Sequence, residues 1–257
     1  MRDLAAPVSS GLADVVAALP ALNEEAALPG ALRALARACP AGVRLEAVVL
    51  ANNCRDGTAA AARAEGARLG MRLLVVEATL PPALASAGRA RRIAVEAARA
   101  RCAPHGIVLS TDADARLGRG ALAAALEAVA QGAEVVCGDL VVHLPTELRA
   151  RPEARRALEV EARYAALAHE VRFRLDLLAG RQAEGPRPRY MEAGACLAVT
   201  PRLLERLGGV PAAAAGEDRA LLRAAEAAGA RIAYPPGFRA AASARLDGRG
   251  DAADAFH

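Results

Sequence analysis

Short apolar runs alternate with Ala-rich amphipathic stretches through the first 140 residues. Asp14 to Pro20, Leu45 to Leu50, Leu73 to Val76 and the run beginning at Ile107 have the length and β-branching of strands. A fifth is expected from Glu134 to Val142. Between them, Leu28, Leu32 and Leu35 share one helical face, an Ala-rich helix runs to about Leu69, and further helices are expected over about Gly88–Ala100 and Gly120–Gln131. Strands alternating with helices at this interval predict βαβ units and a mostly parallel sheet. Right-handed crossovers would then bring the carboxyl ends of the first, second and fourth strands to one edge, with Asn23, Asn52 and Asp112 as neighbours.

The pattern changes after Leu144. From Pro152 to Ala179, Val160, Tyr164, Leu167, Val171, Leu175 and Leu178 recur every three or four residues. The leading expectation is a helix packed on the sheet through that face; a dimer surface and one wall of a cleft are the alternatives. A Pro- and Arg-rich loop, Gly180 to Arg189, follows, then a strand over Ala195–Thr200, a short helix ending at Gly208-Gly209, and a helix opened by Gly216-Glu217-Asp218.

Composition narrows the partners. All 33 basic side chains are Arg, aromatics make up 2% and Trp is absent, so the core must be built from Ala, Leu and Val. A net charge of +4 suits an anionic small substrate but lacks the basic stripe and interleaved aromatics of a nucleic-acid surface. Five scattered cysteines without a Cys-x-x-Cys pair argue against zinc and against a disulfide framework, and fit idle thiols in a reducing cytosol. No apolar run approaches a membrane span and the start lacks a signal-peptide pattern, so a cytoplasmic protein is expected.

The chemistry gathers where strands end. Ile107-Val108-Leu109-Ser110-Thr111 runs into Asp112-Ala113-Asp114, two carboxylates at the carboxyl end of a strand, where open α/β sheets bind ligands. Hard oxygen donors there suit Mg²⁺ or Mn²⁺, which completes its shell with substrate phosphates; a turn using Asp to bond its own backbone is the alternative. After the first strand stands Pro20-Ala-Leu-Asn23-Glu24-Glu25, with no Gly-x-Gly-x-x-Gly turn and no phosphate loop ending in Lys. Its amide and carboxylates suit a base or ribose, or Asn23 caps the first helix with Glu24 and Glu25 in its first turn. His105, His143 and His169 follow no metal-ligand spacing and read as surface or core histidines; His257 is the last residue.

Five segments together resemble the family 2 glycosyltransferases of the GT-A fold. Pro20-Ala-Leu-Asn23-Glu24 is similar to that family's Pro-x-x-Asn-Glu opening, and Asn52-Asn53-Cys54-Arg55-Asp56-Gly57-Thr58 to its Asp-x-Ser-x-Asp-Gly-Thr motif. Asp112-Ala113-Asp114 stands at its Asp-x-Asp, Gly88-Arg-Ala-Arg91-Arg92 resembles its Gly-x-Ala-Arg-Asn helix start, and Gly216-Glu217-Asp218 its Glu-Asp motif. The resemblance runs from about residue 14 to 250. It implies a single GT-A-like, Rossmann-like α/β domain with a helical insertion on the acceptor side: a nucleotide-sugar-binding half over about 14–140 and an acceptor-binding half over about 141–250. By the same resemblance Pro20, Asn23, Glu24, Asn52, Asp112 and Ala113 surround base and ribose, and Arg91 meets base or diphosphate. Asp114, with Asp112, holds Mg²⁺ or Mn²⁺; Glu217 and Asp218 form the catalytic pair, Asp218 as general base.

The implied function is transfer of a sugar from a nucleoside-diphosphate sugar to an acceptor hydroxyl with inversion. Ala51, Asn52 and Arg92 depart from the family pattern, and Asn52 both donates and accepts where a carboxylate only accepts. A non-catalytic nucleotide-sugar-binding protein is the rival reading. A nucleotidyltransferase would share the fold but should open on a Gly-rich basic loop. The acceptor and the oligomeric state are open, as is peripheral contact with a lipid acceptor. Ser243-Ala-Arg245 and Gly248-Arg249 either grip an anionic donor or acceptor or simply carry solvated arginines, and Gly194-Ala195-Cys196 either admits an acceptor to the backbone or packs tightly.

Overall fold

The computed structural model describes residues 11–82, 85–181, 187–211 and 216–243. Arg245, Gly248, Arg249, His257 and the middle of the Gly180–Arg189 loop lie outside them.

Strand β1 (Ala13–Ala21) lies at the centre, paired in parallel with β2 (Leu45–Asn52) on one side and β4 (Cys102–Thr111) on the other. Its last rung with β4 is Ala18↔Ser110, so Pro20, which has no N–H to donate, lies beyond that ladder. Strand β3 (Arg72–Ala78) extends the sheet parallel to β2. Beyond β4 come β8 (Cys196–Val199), antiparallel to both neighbours, then β6 (Val135–Cys137) and β9 (Ile232–Ala233), giving the order β3-β2-β1-β4-β8-β6-β9.

Because side chains alternate faces, successive residues of β1 feed two cores. Val15, Ala17 and Leu19 pack with Val49 and Leu109 under α1 (Leu28–Ala38), α2 (Thr58–Leu69) and α4 (Ala121–Ala130). Val16 and Ala18 pack with Val48, Leu50 and Val108 under α3 (Ala87–Arg99), α7 (Pro201–Arg206) and α8 (Glu217–Ala227). The result is a three-layer α/β/α sandwich, as the alternating pattern predicts. The narrow Ala and Val side chains leave few large fillers, and Phe238 is the bulkiest of the fully buried ones.

The expected fifth strand is two strands. β6 ends at Cys137, and β7 (Asp139–His143) leaves the main sheet for a small one with β5 (Arg116–Leu117) and β10 (Arg239–Ser243) in the order β5-β10-β7. Gly138 is the switch: its N–H donates to the Cys196 carbonyl, and a Cβ there would run into the Cys196 sulfur and come within 2.9 Å of the Phe238 carbonyl oxygen. Gly138→Ala is therefore expected to cost about 1–3 kcal/mol by overpacking, read as a lower urea midpoint.

Helix α6 (Pro152–Leu178) has the predicted span but not the leading expected role. Asp176 alone of its residues is buried, while Val160, Tyr164, Leu167, Val171, Leu175 and Leu178 are 55–86% exposed. What fastens it is polar. The Arg172 guanidinium pairs with Glu226 at 2.6 Å and with Glu192, and lies 4.9 Å from the Tyr190 ring centroid; Asp176 pairs with Arg181 at 2.8 Å. A 3.6-residue periodicity sets which residues share a face but not which face meets the protein, and here the charged one does.

The five cysteines are free thiols. Burial raises the pKa of Cys102 and of Cys196 to about 12, so both stay protonated and inert, as their scatter suggests. Among the described residues no helix is long and apolar enough to cross a membrane.

Candidate active site

The loops after β1 and β2 are laced into one wall. Asn23 and Asn53 each take a positive φ of 53°, a conformation Asn tolerates better than most residues, and so turn the chain sharply as it leaves its strand. The Asn23 side-chain oxygen accepts the Arg55 N–H at 2.6 Å, and the Glu24 N–H donates to the Thr58 hydroxyl at 2.8 Å. Glu25 donates its N–H to Asp56 at 3.1 Å and accepts the Gly57 N–H at 2.9 Å; a Cβ on Gly57 would sit 2.7 Å from that carboxylate. Helix α1 starts only at Leu28 with no side-chain cap and no acid in its first turn, so the capping role for Asn23, Glu24 and Glu25 is replaced by this lacing. Asn53, unremarked by spacing, clamps the exit of β3 by donating to the Leu80 carbonyl at 2.9 Å and accepting the Leu80 N–H at 3.0 Å.

Against this wall opens a cavity of about 730 Å³. Glu24, Glu25, Asp56 and Asp114 line it with Asn23, Arg116, His143 and Ala241–Ala242 of β10. Burial acts against the charge of Asp56, but hydrogen bonds from the Thr58 hydroxyl and from backbone N–H groups outweigh it and hold its carboxyl below the ordinary range. Among the described residues four carboxylates line it against one Arg and one His, a balance that favours a diphosphate accompanied by a cation. Among the described residues no three His, Cys, Asp or Glu side chains stand close enough to hold a metal by themselves. The donor set fits a hard divalent ion that takes one or two carboxylates and fills its shell from phosphate and water.

His143 is exposed, as expected of a surface histidine, and also lines this cavity; the parallel pairing Ser243↔His143 brings it there. Arg116 was equally invisible to motif reading. Its guanidinium lies against Gly30, where a Cβ would sit 3.3 Å from it. His105 is at the surface 3.3 Å from Asp14, and His169 meets Tyr190 edge-on at 5.9 Å, both in the structural roles expected.

Behind the cavity, β4 ends at Thr111 as its acidic terminus predicts, and Arg91 on α3 reaches across. The guanidinium donates to Asp112 at 2.8 Å, Glu217 at 2.7 Å, the Ser110 hydroxyl at 2.8 Å and the Gly194 carbonyl at 3.0 Å. Its burial acts against the charge, yet the carboxylates of Asp112 and Glu217 outweigh that and raise its pKa. Four of its five N–H donors are thus spent inside the protein. Asp112 and Glu217, far apart in the sequence, are joined through one side chain.

Glu217 is buried, and Asp218 beside it accepts the Gly194 N–H at 2.9 Å and the Arg219 N–H at 2.8 Å. Gly194 is therefore held through both its N–H and its carbonyl oxygen, and a Cβ on it would lie 3.0 Å from the Arg91 guanidinium carbon; tight packing, not acceptor access, explains this glycine. Asp218 faces the small space behind Arg91 and Leu221 rather than the wide cavity of Asp114. Asn52 and Thr111, at the ends of β2 and β4, are buried, and Asn52 Oδ1 and Thr111 Oγ1 have no hydrogen-bond partner among the described residues.

Comparison with known proteins gives a consistent picture. The family described as "Glycosyltransferase like family 2" matches residues 13–244. No curated protein matches. Among solved structures, the mannosyltransferase PcManGT of Pyrobaculum calidifontis in complex with GDP-Man and Mn²⁺ is similar at 23% identity and TM-score 0.62, over 95% of this chain and 62% of that one. S. aureus TarS 1-349 in complex with UDP-GlcNAc is similar at 17% identity and TM-score 0.57, over 90% and 59%. M. tuberculosis glucosyl-3-phosphoglycerate synthase in complex with Mn²⁺, UDP and phosphoglyceric acid aligns at 21% identity and TM-score 0.55, over 91% and 72%. The chain thus spans about six-tenths of the first two of these proteins.

Proposed function

The chain belongs to glycosyltransferase family 2, and from that premise we propose that it transfers a sugar from a nucleoside-diphosphate sugar to an acceptor hydroxyl, with Mg²⁺ or Mn²⁺ and with inversion. The observation that carries the reading is the acidic cavity: Glu24, Glu25, Asp56 and Asp114 converge on a space of about 730 Å³, within the size range of small-molecule sites. Carboxylates gathered this way repel a bare diphosphate and welcome one that carries a divalent cation.

In this reading Asp114 would hold the cation, with Asp112 oriented behind it by Arg91. The bound ion would supply Lewis-acid stabilisation of the charge that builds on the departing diphosphate. Asn23, Glu24 and Asn52 recognise base and ribose, and the orphaned Asn52 oxygen is the acceptor such a ligand would satisfy. Arg91 works by position: with four donors engaged, it fixes the donor-side Asp112 relative to α8. By the family resemblance Asp218 is the base that takes the proton of the incoming hydroxyl as it attacks the anomeric carbon from the side opposite the diphosphate, which inverts the configuration. Because its carboxylate is held by the Gly194 and Arg219 N–H groups outside the cavity of Asp114, that role requires it to turn toward the anomeric carbon when donor and acceptor bind.

The test is thermal unfolding across a panel of nucleoside diphosphates with and without Mn²⁺. A ligand at a hundred times its Kd adds about 2.7 kcal/mol to the native state. At this chain length that corresponds to about 5–10 °C. We expect such a rise for at least one nucleotide, requiring Mn²⁺ or Mg²⁺, and its loss in Asp114→Asn. Stabilisation that is equal with and without the cation would refute the metal's part in donor binding.

A further inference from the structure

We infer that the outward face of α6 is a self-association surface on which a second copy of this chain docks, the two helices pairing antiparallel about a two-fold axis. At about 100° per residue, the half-buried and anchored positions Ala165, His169, Arg172 and Asp176 lie on one side of the helix. Val160, Tyr164, Leu167, Val171, Leu175 and Leu178 lie about 130° round from them, pointing away from the protein. Their spacing of three and four residues is that of a helix-pairing seam.

The size of this face calls for a partner. With fractional exposures of 55–86%, the six side chains present on the order of 700 Å² per copy, beyond the largest apolar patch of an ordinary monomer. Covering two such faces would remove well over ~1,000 Å², which reaches the range of stable interfaces.

Charge selects the occupant. The helix carries Glu153, Glu159, Glu161, Glu170 and Asp176 against Arg155, Arg156, Arg163, Arg172 and Arg174, so it is neutral overall. A helix lying on an anionic membrane carries a strongly basic polar face, and this one does not. Balanced charges beside the seam suit a copy of itself. In the antiparallel register that sets Tyr164 against Leu167 and Val171 against Val160 of the second copy, Arg163 comes near Glu170 of that copy, which already pairs with Arg174 at 2.7 Å and Arg187 at 3.0 Å in its own chain, and the symmetry repeats the contact.

Sedimentation velocity of the full chain from 1 to about 100 µM tests this. We expect a monomer–dimer equilibrium, and at least a 100-fold weaker association in the double variant Tyr164→Glu, Leu167→Glu. Helix content by circular dichroism should be unchanged, because both side chains already face solvent. Val160→Gln, a milder change at the same seam, should weaken the dimer without a fold question. A wild-type chain that stays monomeric throughout overturns the proposal, whether it then co-floats with phosphatidylglycerol vesicles or not. A dimer that persists undiminished in both variants equally overturns it.

Discussion

Asp218→Asn is expected to lower kcat by about 10²–10⁴-fold, the usual contribution of a positioned general base. The nucleotide- and Mn²⁺-dependent stabilisation should stay as in the wild type, because Asp218 does not line the cavity of Asp114. The amide oxygen of Asn can still accept the Gly194 N–H that Asp218 holds at 2.9 Å, so the turn before β8 keeps its tie, while the Arg219 N–H loses its acceptor. The chemistry lost is the capacity to take a proton. A single-turnover assay of sugar transfer, run beside a melting curve, separates the two. Near-normal transfer by a stably folded Asn variant would move the base to another residue.

Arg91→Ala should produce the largest loss of stability, about 3–5 kcal/mol, the range measured when one partner of a buried ion pair is removed. Glu217 would bear most of the cost: its side chain is 10% exposed, whereas that of Asp112 is 38% exposed and can be rehydrated. Pairing Arg91→Met with Glu217→Gln should recover part of the loss, since no buried charge is then stranded. Arg91→Lys should fall between, because an ammonium cannot reproduce the planar fork that spans Asp112, Ser110, Gly194 and Glu217. Urea unfolding of the four proteins gives the ranking, and an Arg91→Ala protein as stable as the wild type would sink the account. Donor affinity in the folded fraction should also fall, since Asp112 would lose the group that orients it.

What could be read from the residues was whatever depends on neighbours in sequence. The apolar run around Val15 to Leu19 announced the first strand by its length and β-branching, and Asp112 announced the end of the fourth, because local backbone preference and burial agree there. Motif resemblance reached further and named Asn23, Asn52, Arg91, Asp114 and Asp218 together. What could not be read depends on distant partners. Nothing near His143 or Arg116 marks them as cavity wall; they become so through β10 and through the missing side chain of Gly30. Arg91 looked like a ligand for phosphate, but Glu217, far along the chain, takes up its charge. The apolar stripe of α6 was legible as a stripe, while its outward aim was not, because Arg172 and Asp176 on the other side had partners no periodicity could reveal.

The small sheet has a consequence for how the protein comes into being. Its closing strand, Arg239–Ser243, pairs in parallel with Asp139–His143 and donates Ala241 and Ala242 to the cavity. Such long-range parallel pairing is slow, since the loop between its ends must be closed before any contact rewards it. During translation the β1–β4 sheet can assemble early, while the wall stays unbuilt until the last described strand has left the ribosome. A nascent chain stalled before Arg239 would therefore hold an ordered scaffold with an open-sided hollow. Competence to grip a nucleotide should arrive as one late event rather than growing with length.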